Sequence, residues 1–140
     1  VLAVVLVGII TACIIIPKHN NGNKQNSSFA APTFESNAIS AENLDIPASA
    51  NYKSLAIKDE FKISMASTVN ITNNFAEIYF TLEKENSAWI KLVLLTVDGK
   101  ELGSSGLIKA GEHLKQIEIK DLTSENDEII VKLLTYEPPQ

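Results

Sequence analysis

The sequence contains no arginine: all 12 basic residues are lysine, set against 17 acids, for a formal net charge of −5 in 140 residues. Proteins that bind nucleic acid normally show a basic face with arginine forks for phosphate, so the composition argues against that class of partner. Cysteine is nearly absent too. Cys13 is the only one and lies inside an apolar run, so residues 17–140 form no disulfide and build no thiolate zinc site. No second apolar run approaches the roughly 18–20 residues of a membrane crossing, which excludes a multi-span transporter. Within these 140 residues a second large domain is not expected either. The lack of arginine beside 12 Asn and 17 Ile is the codon pattern expected of an AT-rich genome.

What is present is distributed unevenly. The chain is 45% apolar overall, but residues 1–16 (VLAVVLVGIITACIII) are apolar at every position except Gly8 and Thr11. Residues 17–50 hold 11 apolar residues in 34, and residues 51–140 hold 38 in 90. The three parts read as a membrane segment, a linker and a folded domain.

As a helix, residues 1–16 would span about 24 Å, short of the roughly 30 Å hydrocarbon core, so the reading is a transmembrane helix incomplete at its N-terminus. Pro17, Lys18, His19 and the polar run from Asn20 to Asn26 then end it at the interface. Three readings compete. A single-span anchor is favoured because apolar residues continue through Ile14, Ile15 and Ile16 to Pro17. A cleaved signal peptide would have to cut near Thr11-Ala12-Cys13, where three isoleucines follow. A lipoprotein signal is suggested by Ile10-Thr11-Ala12-Cys13, which resembles a lipobox and would place a lipid on Cys13. Lys18 and Lys24 favour a cytoplasmic flank, yet a short N-terminal anchor with an exported C-terminal domain is the expected topology.

Residues 17–50, rich in Asn, Ser, Ala and Pro, bury too little apolar area to offset chain entropy and read as a disordered tether. Such a coil would hold a domain roughly 30–35 Å from the bilayer. Phe29, Phe34, Ile39, Leu44 and Ile46 are its isolated apolar residues, available to dock on the domain or a partner.

In residues 51–140 the apolar period is two. Phe61, Ile63, Met65, Val69 and Ile71 alternate with Lys62, Ser64, Ala66, Thr68 and Asn70, which predicts a strand with one wet face. Leu55 and Ile57 begin a shorter strand, and Ala76, Ile78, Phe80 and Leu82 mark another. Residues 89–97 (WIKLVLLTV) are almost continuously apolar, as in a central strand covered on both faces. Asp98-Gly99 after it signals a hairpin with a type I′ turn. Residues 101–108, 114–119 and 129–136 supply three more strands. Seven short strands predict an all-β, antiparallel, immunoglobulin-like two-sheet sandwich over residues 51–140, with a further edge strand expected beyond the last residue.

Several motifs carry a resemblance: Asn51-Tyr52-Lys53-Ser54-Leu55, the 89–97 strand with Asp98-Gly99-Lys100, the stretch from Gly103 through Ala110-Gly111-Glu112, and Tyr136-Glu137-Pro138. On these, residues 51–138 resemble a group of small uncharacterised membrane-anchored proteins of Gram-positive bacteria. Ala110 stands where that group usually has Pro. The resemblance implies an N-terminal anchor and an exported β domain, and it brings no activity.

No catalytic, metal or cofactor site is expected. Gly103-Ser104-Ser105-Gly106 lacks the spacing of a nucleophile elbow, because Leu107 stands where the second glycine belongs. His19 and His113 are expected at the surface, without acid or thiol partners at ligand spacing. Asp121, Glu125, Asp127 and Glu128 lie in an acidic stretch without the glycine and spacing of a calcium loop. Trp89 and Tyr79 read as core or strand-surface aromatics, with Tyr79 the better contact candidate. Asn26-Ser27-Ser28 and Asn70-Ile71-Thr72 match the glycosylation sequon. The expected role is a membrane-anchored, non-catalytic surface module that binds a protein or an envelope component. A lipoprotein lipidated at Cys13 with a carrier or assembly role is the alternative, and an exported enzyme the lesser one.

Overall fold

Along an extended chain Ala76, Ile78, Phe80 and Leu82 point one way while Phe75, Glu77, Tyr79 and Thr81 point the other. The computed structural model describes residues 32–57, 61–120 and 128–138 in full and residues 2–6 and 12–14 by their backbone. In it, the first of these two sets is sealed in the core at 0% exposure. The same alternation repeated along the chain produces an all-β fold of two packed antiparallel sheets.

In chain order the elements are β1 (Leu2–Leu6), β2 (Ala12–Ile14), β3 (Ile39–Ser40), a 3-10 turn (Ala48–Ala50), β4 (Tyr52–Ile57), β5 (Phe61–Ala66), β6 (Thr68–Thr72), β7 (Phe75–Leu82), β8 (Trp89–Thr96), β9 (Glu101–Ile108), β10 (Glu112–Glu118) and β11 (Ile129–Tyr136). In the first sheet β4 pairs with β5, β5 and β6 follow one another along one side of β7, β10 lines its other side, and β3 caps β10. In the second, β8 is central between β11 and β9, as its apolar run predicts. Ile63, Met65, Ile78 and Phe80 from the first sheet meet Ile90, Leu92, Leu94 and Val131 from the second in one continuous core.

Nine strands from β3 to β11 replace the expected seven. The predicted strand over 61–71 is split at Ser67 into β5 and β6, and the tether contributes β3. The split has a cause in the registers. Between the pairs Ser64–Thr81 and Asn70–Glu77 the alignment slips by two residues, and β10 slips by one opposite the same part of β7. Tyr79 sits within that irregularity at φ 45°, a backbone conformation that bulky residues rarely adopt.

Two turns differ from expectation in an instructive way. Asp98-Gly99 does close the β8–β9 hairpin, but only Gly99 has positive φ, at 85°, with Gly99 N–H donating to Thr96 O and Thr96 N–H donating to Lys100 O. This is a three-residue loop with glycine in the left-handed position, not a type I′ turn. The pair with positive φ at both centres is Asn73-Asn74, at 50° and 65°, which joins β6 to β7.

Residues 32–50 also depart from the expected tether, since they follow the surface of the sandwich. Leu107 N–H donates to Thr33 O and Glu35 N–H to Leu107 O, which lays residues 33–35 along the edge of β9. A side chain at Gly106 would collide with the Thr33 and Glu35 backbone, so glycine there permits the approach. Residues 41–50 then cross the outer face of the first sheet. Under the segment that face is drier than its alternation suggests: Ser64 and Ala66 are 1% and 0% exposed, with Ala50 and Ile46 packed on Ala66.

The expected helix over residues 1–16 is not shown. Its described parts, β1 and β2, are extended, and among the described residues no helix is long and apolar enough to cross a membrane. Val and Ile, which dominate the run, favour extended backbone where sheet partners are available. Residues 17–31 of the expected tether lie outside the described residues.

Candidate functional site

The outer face of the first sheet, under the crossing segment, gathers the polar side chains most able to do chemistry. Thr81 on β7 is in register with Ser64 on β5 and His113 on β10, so the three lie side by side on that face. Tyr52 on β4, opposite Ala66, is long enough to reach over β5. Its hydroxyl donates to Thr81 Oγ1 at 2.7 Å, and Thr81 Oγ1 lies 2.8 Å from His113 Nδ1. A threonine hydroxyl that accepts from Tyr52 keeps its own proton to donate. All three groups are therefore satisfied with Nδ1 accepting and the imidazole proton on Nε2. Burial pulls the His113 pKa below its ordinary value, which favours that neutral ring.

His113 is thus a buried residue, 3% exposed, and not the surface histidine expected. The reason is β3, whose Ile39 pairs with His113 and covers the β10 edge. Tyr79 is likewise buried, at 7%, and packs with Ala50 and Ala66 beneath Ile46. Its pKa is raised by burial and further by the Glu77 and Asp45 carboxylates. Its ring centre lies 6.2 Å from that of His113.

Two shallow cavities flank the crossing segment. One of about 200 Å³ is lined by Ala41, Leu44, Tyr52, Thr81 and the 82–85 stretch, so the Tyr52–Thr81 bond forms part of its wall. The other, of about 150 Å³, lies between Pro47, Ser49, Thr68, Glu77 and Tyr79. Both are smaller than the 300 Å³ or more typical of ligand pockets. A second polar chain runs beside the first: Ser54 Oγ and Ser64 Oγ are 2.9 Å apart, and Ser64 donates to Glu83 Oε1 at 2.7 Å. Chemically this is a closed network, with each hydroxyl committed to a neighbour.

The Gly-Ser-Ser-Gly stretch has a structural task. The β8–β9 register slips between Lys91 and Val93, and there Ser105 Oγ accepts from Leu92 N–H at 2.9 Å while donating to Gly106 O at 2.7 Å. Its hydroxyl replaces the carbonyl that the slip removes from the ladder. Gly103 lets β9 close against β10, since a side chain there would meet the Glu118 carbonyl oxygen.

Trp89 is half-buried and meets the exposed Phe34 edge-on at 4.9 Å, with Lys109 Nζ 4.3 Å from the Phe34 ring centre. Asn70 of the second sequon is exposed on β6. Cys13 lies in β2, whereas His19, Asn26 and the acidic residues 121–127 lie outside the described residues. Sequence reasoning does not single out Thr81, and it names Tyr52 only within the Asn51–Leu55 motif, with no role at a site. Alternation alone puts both on the outer face, but only a segment recognised as covering that face would have marked them as buried partners of His113. Among the described residues no group of His, Cys, Asp and Glu is arranged to hold a metal ion. Neither a family model, nor a curated protein, nor a solved structure matches this chain.

Proposed function

We propose that this chain is a membrane-anchored, non-catalytic module that presents an immunoglobulin-like sandwich outside the cytoplasmic membrane and binds a protein or envelope component there. The observation that carries a binding role is the commitment of its reactive groups. Thr81, Ser105 and His113 are buried and hydrogen-bonded within the fold, so none is presented to a substrate. The anchor rests on the 16-residue apolar run and the polar break at Pro17. Phe34, 47% exposed beside Trp89 and Lys109, supplies an aromatic contact point of the kind that anchors interfaces.

Protease added to intact cells should digest residues 32–138 while a cytoplasmic control survives; protection until lysis would reverse the topology. A Phe34→Ala chain should recover less partner than the natural chain in pull-downs from detergent extract, and equal recovery would remove Phe34 from the contact. The second reading, a lipoprotein, is favoured by Ile10-Thr11-Ala12-Cys13. The intact mass of the native protein decides it, because lipidation adds diacylglycerol at Cys13 and removes the residues before it.

A further inference from the structure

Every sheet edge exposes unpaired N–H and C=O groups and needs a cover. On β10 that cover is β3, and on β9 it is residues 33–35. The β4 edge bears the exposed Lys53 and Ser54, the charged and polar kind of edge that discourages pairing. The edge of β11 is different. Its cover is the apolar N-terminal run, with Val5 and Leu6 opposite Ile129 and Ile130, and Ala12, Cys13 and Ile14 opposite Leu134, Thr135 and Tyr136, all parallel. A run that lies in a bilayer cannot at the same time lie on β11.

Resting on the anchored reading, we propose that the β11 edge is a strand-acceptor site for an extended, uncharged, apolar segment of a partner protein running parallel to β11. The chain's own residues show what chemistry fits. Ile129, Val131 and Leu133 turn inward and are almost fully buried, Ile130 and Leu134 flank them on the outer face, and Lys132 is the strand's single charge. An added strand therefore meets apolar neighbours on both faces and gains main-chain hydrogen bonds along its length. Leu2, Ala3 and Val4 also pair antiparallel with Asn70, Val69 and Thr68 on β6. The site is thus a seam between the two sheets, and a strand seated in it joins them.

The test uses the full chain in phosphatidylcholine–phosphatidylglycerol nanodiscs, with Cys13→Ser and Thr135→Cys. The probe is a lysine-tailed peptide of residues 9–16, whose cysteine is the residue that faces Thr135. Disulfide formation at position 135 should run about tenfold faster than at a Lys53→Cys control on β4, the ratio that 1.4 kcal/mol of added pairing supplies. Equal rates at the two edges, or equal rates with the peptide sequence reversed, would overturn the acceptor site. If Thr135→Cys fails to fold, Ile130→Cys with a peptide of residues 1–8 carrying Leu6→Cys reads the same edge. The anchor is tested separately by Thr135→Cys with Cys13 retained. An intramolecular disulfide in nanodiscs would show the chain's own run filling the β11 edge, and would overturn the anchor and with it the partner's access to that edge; its absence together with no peptide cross-link would overturn the acceptor and leave the anchor intact.

Discussion

Thr81 is hydrogen-bonded on two sides, and Thr81→Val removes both bonds while keeping the side chain's shape. The Tyr52 hydroxyl and His113 Nδ1 then lose their partner inside the fold, a loss of about 1–3 kcal/mol. Urea denaturation of the full chain in detergent would read this as a lowered midpoint. Thr81→Ser keeps the hydroxyl and should lose only about 1 kcal/mol for one methyl group. His113 adds a pH dependence. Its folded pKa lies below the ordinary 6.5 because burial disfavours the charged ring. As pH falls below 6.5 the unfolded chain binds a proton that the folded chain does not, so stability is full above that value and declines towards acid until the folded ring also protonates. His113→Gln should flatten the decline between pH 7 and 5; an unchanged slope would assign it to another group. Tyr79 holds a left-handed backbone that costs an L-residue about 1–2 kcal/mol, offset by burial of its ring over Ala50 and Ala66.

Among the strands, β9 depends on its glycines for opposite reasons. Gly99, just before it, has φ 85° with open space around it, so Gly99→Ala meets only backbone strain and should cost about 1–2 kcal/mol. Gly103→Ala drives a methyl group into the Glu118 carbonyl and forces β9 and β10 apart, so its thermal midpoint should fall well below that of Gly99→Ala; equal midpoints would refute the close approach. The strands themselves were readable because period-two alternation is a local property: residues 76, 78, 80 and 82 face inward whatever lies across from them. Turn type was less readable. Asp-Gly suits both a type I′ turn and a three-residue loop with glycine left-handed, and the strand twist and register that choose between them are not written in the dipeptide. Asn73-Asn74 carried the same capacity for positive φ without glycine to advertise it.

For the molecule as a whole, the segment 32–50 was the least readable part, because Leu44 and Ile46 are too sparse to signal burial by themselves. Their docking depends on a receptive face formed by Tyr52, Ala66 and Tyr79 from three separate strands, a property of the assembled sheet. The segment is held by few backbone bonds, among them Glu35 to Leu107 at 2.9 Å and Ala41 to Gly111 at 2.9 Å. The exposed Lys84–Glu42 pair at 3.8 Å adds little. It should therefore open before the sandwich does. Hydrogen exchange should be faster at the Glu35 and Ala41 amides than at Leu92 or Leu94, and Gly106→Ala should accelerate Glu35 and Leu107 selectively. There is a mechanical corollary. Tension applied at residue 32 reaches the Leu107 bonds to Thr33 and Glu35 before β3 or any strand that follows it. Once those bonds and the short β3 pairing give way, residues 33–50 are released with a contour of about 60 Å while β4 to β11 stay packed, so the segment acts as a fuse that lengthens under load before the core is touched.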